Sequence, residues 1–255
     1  GNLIRRNSKL FFKDKAMFFT SLITPIILLI LYTTFLGNVY KQSFLSAIPT
    51  GFELSEKLIN AVVAGQLVSS LLAVCCVTVS FSTLTICIAA SVICFIYLSN
   101  IGWYLSFKET VLFLLDVILL VMFGTALSSI INFFLNSQGQ ISAVGTIVSA
   151  GYGFICGAYM PVSSFSAGLQ KVISFLPGTY GTGLLRNHAL NGVFSELSEM
   201  GMPKEFVTVF KDSIDCNLYF FDKCVSIEAM YAVLCCSVVV LVLAYIILNV
   251  AVKKR

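Results

Sequence analysis

The chain has 255 residues, of which 58% are hydrophobic and 11% are charged, with a mean hydropathy of +0.95. Soluble domains are roughly 45–50% apolar and about 25% charged, so this composition excludes a soluble globular fold and indicates a polytopic membrane protein. The net charge of +4 does not indicate nucleic acid, because the basic residues lie at the ends of apolar stretches and not in a patch with interleaved aromatic residues.

Half of the sixteen basic residues lie at the two ends of the chain. Because positively charged flanks stay on the cytoplasmic side, we expect both termini in the cytoplasm and an even number of crossings. Residues 3–15 predict an amphipathic elbow helix on the membrane surface, with basic residues in one stripe. We see no cleavable signal peptide pattern, because the basic start runs directly into an apolar stretch long enough to cross. The basic residues of the predicted elbow include Arg5, Arg6, Lys9 and Lys13.

The apolar stretches predict an all-α membrane protein with six transmembrane helices. Pro25 predicts a kink in the first of them. Polar segments on the outer side are expected at 38–57 and, as the larger one, at 193–226. The six predicted spans cover about 16–36, 58–80, 83–98, 111–135, 141–159 and 227–250.

The region between the second and third spans is unusual. Fifty residues, from Leu58 to Phe107, contain no charge, although two spans must fit there. A hairpin between membrane helices normally has polar residues that satisfy the freed backbone groups. We therefore expect that a polar, basic cytoplasmic loop of the natural protein is missing near 79–85.

Two predicted helix faces have small or polar side chains at intervals of about four residues. The face in span five predicts close helix packing, which we favour over a substrate role. Its residues are Gly145, Ser149, Gly153 and Gly157, and the face in span four comprises Asp116, Gly124, Ser128 and Asn132. Asp116 is the only acidic residue well inside a predicted span, since Glu228 stands at the very start of the sixth. One interpretation is that Asp116 relays protons or contacts a cationic substrate. The other is that it is a carboxylate that lies close to the outer surface.

Beyond span five, proline and glycine interrupt the apolar pattern. Pro161 ends the helix, 167–176 is a one-sided helix too short to cross, and a second short helix is expected at 180–190. Residues 161–190 thus predict a re-entrant hairpin that lines an outward-facing gate, with Met160, Pro161, Pro177 and Tyr180 at its turns. The alternative is a helix pair resting on lipid headgroups. Arg186 and His188 are expected to contact headgroups.

The cysteines and the histidine predict no metal site. Seven of the nine cysteines fall in apolar stretches, where a thiol packs as a small hydrophobe. Cys216 and Cys224 lie in the polar outer segment and are candidates for a disulfide, which that side of the membrane permits. The sequence has no phosphate-binding loop, no Gly-x-Ser-x-Gly elbow and no His-Glu-x-x-His helix, so we expect no catalytic residues.

Several short motifs occur in a characteristic order. They are Arg6 and Asn7 with Leu10 to Ala16 and Pro25; Gly157 to Val162; and Phe175 to Tyr180 followed by Leu184 to Arg186. Together they resemble the permease subunits of type 2 ATP-binding-cassette exporters over nearly the whole chain. Each motif alone is weak, and it is their order relative to six spans that makes the resemblance specific.

This resemblance implies an elbow helix, six crossings, a re-entrant helix pair after span five, and a bacterial cell membrane location. It also implies a second permease copy or paralogue and two cytoplasmic ATPase subunits that bind ATP and magnesium, so the chain itself would hold no cofactor and would not be an enzyme. In the family, the loop between spans two and three contains the coupling helix, and that loop is missing here. The basic elbow residues therefore remain the candidates for ATPase coupling.

The leading hypothesis is export of an amphipathic drug, natural product, peptide or lipid-like substrate, and the 22 phenylalanines favour an apolar cargo. Export of a polysaccharide or lipid-linked glycan is the near alternative, and an ion-coupled secondary transporter using Asp116 is another. The candidate substrate-pathway residues are Asp116, Ser128, Asn132, Met160, Pro161, Pro177 and Tyr180.

Overall fold

The computed structural model describes residues 26–27, 29–48, 54–76, 83–101, 104–135 and 137–253. The predicted elbow, with Arg5, Arg6, Lys9 and Lys13, lies outside these residues, as do most of the first span and positions 79–82 of the predicted missing loop.

The helices are, in order, a π-helical segment Tyr32–Leu36 that continues into α1 Gly37–Ala47, then α2 Glu56–Cys76, α3 Thr83–Ile101, α4 Phe107–Phe133, α5 Gln138–Ile155, a 3₁₀ turn Val162–Ser164, α6 Ala167–Ile173, α7 Pro177–Glu199, α8 Lys204–Ser213 and α9 Ile227–Lys253. A two-stranded hairpin, β1 Tyr219–Phe220 and β2 Lys223–Cys224, precedes α9.

Three helices in the described part of the chain are long and apolar enough to cross a membrane: Glu56–Cys76, Phe107–Phe133 and Ile227–Ala251. A shorter apolar stretch runs over Ala90–Ile101. This mostly helical architecture agrees with the predicted all-α membrane protein. The number of crossings stays a prediction.

Two helices extend into segments that the sequence predicted as polar outer regions. α1 continues to Ala47, because Tyr40 and Phe44 are buried on one side of it. α7 continues to Glu199, well beyond the short helix predicted at 180–190, because Val193, Phe194 and Leu197 extend its buried face by two turns. The helix therefore includes the first residues of the segment that the sequence predicted as polar from 193.

The fifth helix ends earlier than predicted. α5 stops at Ile155, and Gly157 has a φ of +77°, a left-handed conformation that suits glycine. Gly157 is therefore not on the same helical strip as Gly145, Ser149 and Gly153. The chain turns there towards Pro161 and the 3₁₀ turn.

α7 is the central helix of the fold. It packs against α2, α4 and α9, and α8 covers its C-terminal part. Almost every residue from Gly178 to Leu190 is buried, so α7 is surrounded by protein on nearly all sides. Small residues permit this close packing: Gly181 lies against Leu120 of α4, and Gly192 lies against the backbone of Tyr104.

The last helix, α9, is largely exposed, in contrast to α7. Only 11% of its most apolar stretch is buried inside the protein. Its exposed side chains include Val239, Val240, Leu243, Ile246 and Ile247. Such a large apolar surface has to be covered by something other than water, as expected for a helix that faces lipid or a neighbouring membrane helix.

Gly192 provides a test of how tightly α7 is packed. An ideal Cβ at this position would overlap with the Tyr104 carbonyl oxygen, a backbone atom that a side-chain rotation cannot move. We expect Gly192→Ala to destabilise the protein by about 1–3 kcal/mol, measured as a lower midpoint of heat-induced aggregation in detergent. Gly151→Ala is the matched control, because nothing lies within 4 Å of its added Cβ. Equal midpoints for the two variants would contradict the packing described here.

Candidate functional site

A buried polar cluster joins three long helices. Asp116 of α4 is completely buried. One of its carboxylate oxygens lies 2.5 Å from Nδ1 of His188 on α7, and the other accepts a hydrogen bond of 2.5 Å from the Tyr231 hydroxyl on α9. The Asp116 cluster, formed by these three side chains, thus links α4, α7 and α9 in the interior.

These positions correct one expectation from the sequence. Asp116 is enclosed by protein, and its depth below the outer surface stays a prediction. His188 is 6% exposed and binds Asp116, so it is not free to contact headgroups. Both ionisable groups satisfy each other's hydrogen-bonding needs inside protein, which is how such residues are usually accommodated in membrane helices.

A second buried polar cluster surrounds Arg186, which is 2% exposed. Its guanidinium donates to the Asp215 carboxylate at 3.0 Å and to the Ile214 carbonyl at 3.1 Å. It also donates to the Ser70 hydroxyl of α2 at 3.2 Å and to the Gly157 carbonyl. Arg186 is therefore another residue that the sequence wrongly assigned to headgroups.

Asp215 connects the same cluster to the turn after α5. Its carboxylate accepts hydrogen bonds from the amides of Val162 at 2.6 Å and Ser163 at 3.3 Å. Burial raises the pKa of Asp215 above its ordinary value, whereas Arg186 and these two amides act in the opposite direction. The Arg186 cluster, which we define as Arg186, Asp215, Ser70, Gly157 and the Val162–Ser163 amides, thus joins α2, α7, the turn after α5 and the loop after α8.

Gly157 is placed inside this cluster and not on a packing strip. Its added Cβ would lie 2.9 Å from an Asp215 carboxylate oxygen and 3.0 Å from a Val162 methyl group. A side chain would press on the ion pair in addition to straining the left-handed backbone. Of the other predicted packing residues, Gly145 is buried, Ser149 is half-buried and Gly153 packs on the Tyr159 ring.

The remaining predicted pathway residues do not converge on one site. Ser128 accepts a hydrogen bond of 3.2 Å from Asn132, but it lies twelve residues, about 18 Å, along α4 from Asp116. Pro161 precedes the 3₁₀ turn, and Pro177 is the first residue of α7. The Tyr180 hydroxyl donates to the Ser174 carbonyl at 2.5 Å, and Met160 is half-buried. The residues from Met160 to Tyr180 lie at the turns and helix starts between α5 and α7, and of the predicted pathway residues Asp116 alone belongs to one of the two polar clusters.

The candidate disulfide is absent. Both cysteines are free thiols: Cys216 is 1% exposed, whereas Cys224 is exposed on β2. The strand register places Cys224 opposite Tyr219, and Cys216 packs with the apolar residues under α8. Among the residues that the structure describes, no group of three or more His, Cys, Asp or Glu side chains could hold a metal ion.

Sequence reasoning missed the partners of Arg186 and His188, although a signal was present. Residues two apart on a helix point in nearly opposite directions, so the two side chains could not share one lipid-facing stripe. In an apolar segment each therefore required its own buried partner. The partners, Asp116 and Asp215, lie 72 and 29 residues away in the sequence.

The Arg186 cluster predicts a large loss of stability when its cation is removed. Arg186→Gln leaves Asp215 buried without its charge partner, so we expect destabilisation of about 3–5 kcal/mol, measured by thermal unfolding in detergent. Lys108→Gln removes the same charge at an exposed position and should change stability by less than about 0.5 kcal/mol. Similar losses in both variants would contradict a special role for the buried ion pair.

Cys216 and Cys224 are expected to differ in chemical reactivity. Burial raises the pKa of Cys216 to about 12, so few thiolates form there at pH 8. We expect a maleimide to label Cys224 in the folded protein and Cys216 only after unfolding, as mapped by peptide mass spectrometry without reduction. A peptide pair joined through the two sulfurs would show instead that they form a disulfide.

No family model, curated protein or solved structure matches this chain. Its function therefore has to be inferred from its long apolar helices and from the two polar clusters that α7 holds inside them.

Proposed function

We propose that the chain is the membrane-spanning permease subunit of an ATP-driven exporter, with six crossings and both termini in the cytoplasm. The feature that supports this most directly is the position of α7 and of its charged side chains. α7 follows a short helix and a proline turn, it is enclosed by long apolar helices, and it holds Arg186 and His188 in buried pairs. Polar groups of this kind inside membrane proteins are costly and usually belong to functional machinery.

The arrangement of helices suits a pathway that opens and closes. α7 contacts α2 on one side and α4 and α9 on the other, and each side has its own polar cluster. Polar contacts between packed elements can exchange between two discrete arrangements during a rigid-body movement. In this proposal, ATPase subunits drive the movement, and two permease chains line the route between them.

The proposed cargo is an amphipathic or lipid-like molecule. Large apolar side chains dominate the exposed surface of the long helices, among them Ile118, Met122, Ile147 and Val240. A route along such surfaces favours an apolar body over a hydrophilic polymer. Export of a lipid-linked glycan is the alternative cargo within the same class.

The test is co-purification from membranes. A tagged copy, produced in its own host and extracted in mild detergent, should bring with it an ATP-hydrolysing subunit in equal numbers. Purified complex in liposomes should then move substrate only when ATP is supplied. Purification of the chain without any nucleotide-binding partner would contradict the proposal.

The ion-coupled alternative rests on a specific feature, the buried carboxylate and imidazole of the Asp116 cluster. If it is correct, the chain alone in liposomes should transport substrate in response to a proton gradient, and Asp116→Asn should abolish that response. If the permease proposal is correct, no gradient should drive transport by the chain alone. In that case Asp116→Asn should reduce the thermal stability of the complex, because His188 and Tyr231 lose an anionic partner.

A further inference from the structure

A groove of about 530 Å³ lies between α1 and α8. Its lining residues belong to other segments than the helices that hold the Asp116 cluster. We call it the α1–α8 groove. Its floor is buried and includes Tyr40 of α1, Gln66 of α2 and Phe210 of α8. Its rim is exposed and includes Ser43, Glu205 and Val209. A volume of this size falls within the range of small-molecule sites.

The floor of the groove contains two buried polar side chains, and the hydroxyl of one of them has no hydrogen-bond partner among the described residues. Tyr40 is 9% exposed, and its hydroxyl is buried without a hydrogen-bond partner among the described residues. Gln66 is 3% exposed, although its amide has donor and acceptor groups. A buried polar group that lacks a partner costs free energy, so the Tyr40 hydroxyl favours a ligand that supplies one, and the Gln66 amide offers a donor and an acceptor in the same floor.

The rest of the lining is largely apolar and defines the body of that ligand. Phe206, Phe210, Val209 and Ile214 provide aromatic and aliphatic contacts. The phenyl rings of Phe206 and Phe210 are stacked with centroids 6.1 Å apart, and Phe44 packs on Phe210 at 4.8 Å. This wall is therefore fixed by aromatic contacts before any ligand binds.

Charge at the groove excludes one class of ligand. Among the described residues that line it, Glu205 is the single ionisable group with a formal charge at neutral pH. An acidic rim disfavours an anionic head, and the uncharged floor supplies no counter-ion for a buried head of either charge. The ligand head should therefore be neutral and able both to donate and to accept hydrogen bonds.

We propose that the α1–α8 groove is a binding site for a neutral amphiphile with a hydroxyl- or amide-type head, which hydrogen-bonds to Tyr40 and Gln66. The chain or ring of the ligand lies against the phenylalanines of α8. This proposal does not depend on the transport function, because it concerns binding to the chain itself. The ligand is either a neutral lipid of the bilayer or a free amphiphile, since both offer the same chemistry.

The experiment uses the full chain in nanodiscs and a fluorescent probe, 11-(dansylamino)undecanamide, with the matched undecanoate as its anionic counterpart. We expect saturable binding of one amide probe per chain, displaced by decanamide, and at least tenfold weaker binding of the carboxylate. Tyr40→Phe and Gln66→Leu should each weaken binding of the amide about two- to tenfold, because each removes a hydrogen bond between neutral groups. Ser43→Trp, which narrows the groove from its exposed rim, should abolish saturable binding.

Tyr245→Phe is the matched control, because it removes a tyrosine hydroxyl on α9, outside the groove, and should leave probe affinity unchanged. Tyr40→Phe should also melt at the same temperature as the parent chain or higher, since its hydroxyl has no partner to lose. Non-saturable partitioning of the probe would overturn the proposal. So would unchanged affinity in both Tyr40→Phe and Gln66→Leu, or a lower melting temperature for Tyr40→Phe.

Native mass spectrometry of the chain released from its own membranes distinguishes the two sources. A neutral-lipid adduct that is lost in Ser43→Trp identifies a bilayer ligand. Saturable probe binding without such an adduct identifies a free amphiphile. Absence of both would contradict the site. None of these results depends on co-purification of an ATPase. The experiments can therefore distinguish a failure of this proposal from a failure of the proposed function.

Discussion

Arg186 imposes the strongest constraint on this molecule, because a guanidinium that is 2% exposed must find partners for five N–H donors. Four of them are used, by the Asp215 carboxylate, two backbone carbonyls and the Ser70 hydroxyl. Those acceptors come from three separate parts of the chain outside α7. The Arg186 side chain therefore fixes how α2, α7, the turn after α5 and the loop after α8 meet.

The Asp116 cluster does the same on the other side of α7. Its carboxylate receives a hydroxyl from α9 and faces an imidazole from α7, so three helices share one acceptor group. Near the N-terminal end of α4, Glu109 accepts a hydrogen bond of 2.6 Å from Asn191 and caps the helix through Ser106. α4 and α7 are thus held together by polar contacts at two levels as well as by apolar packing.

The sequence predicted the helical class and most helix positions, since apolar stretches of about twenty residues dominate the chain. Pro161 and Pro177 correctly marked the turns on either side of α6, because proline cannot continue a helix from the preceding turn. Helix ends were less predictable. α1 and α7 run past the apolar stretches because tertiary contacts, such as Phe44 with Phe210, stabilise turns whose composition is polar.

The partners within the polar clusters were beyond sequence reasoning for a different reason. The two-residue spacing of Arg186 and His188 indicates that both side chains cannot face headgroups, but it does not identify the acidic residue that pairs with either of them. Asp215 has a left-handed φ of +57°, which turns its carboxylate towards the turn after α5, and no periodic pattern indicates this. The groove between α1 and α8 was likewise invisible, because its lining residues come from four distant segments.

The π-helical segment Tyr32–Leu36 has a consequence for the rotational phase of α1. Eight residues of regular α-helix rotate through about 800°, which would leave Tyr40 about 80° out of phase with Tyr32. A π-helix holds more residues per turn and so rotates less per residue, which brings the two rings back into phase. Both tyrosines are indeed buried, at 1% and 9% exposure. The number of residues in this segment, and not only their identity, thus determines that Tyr40 reaches the interior.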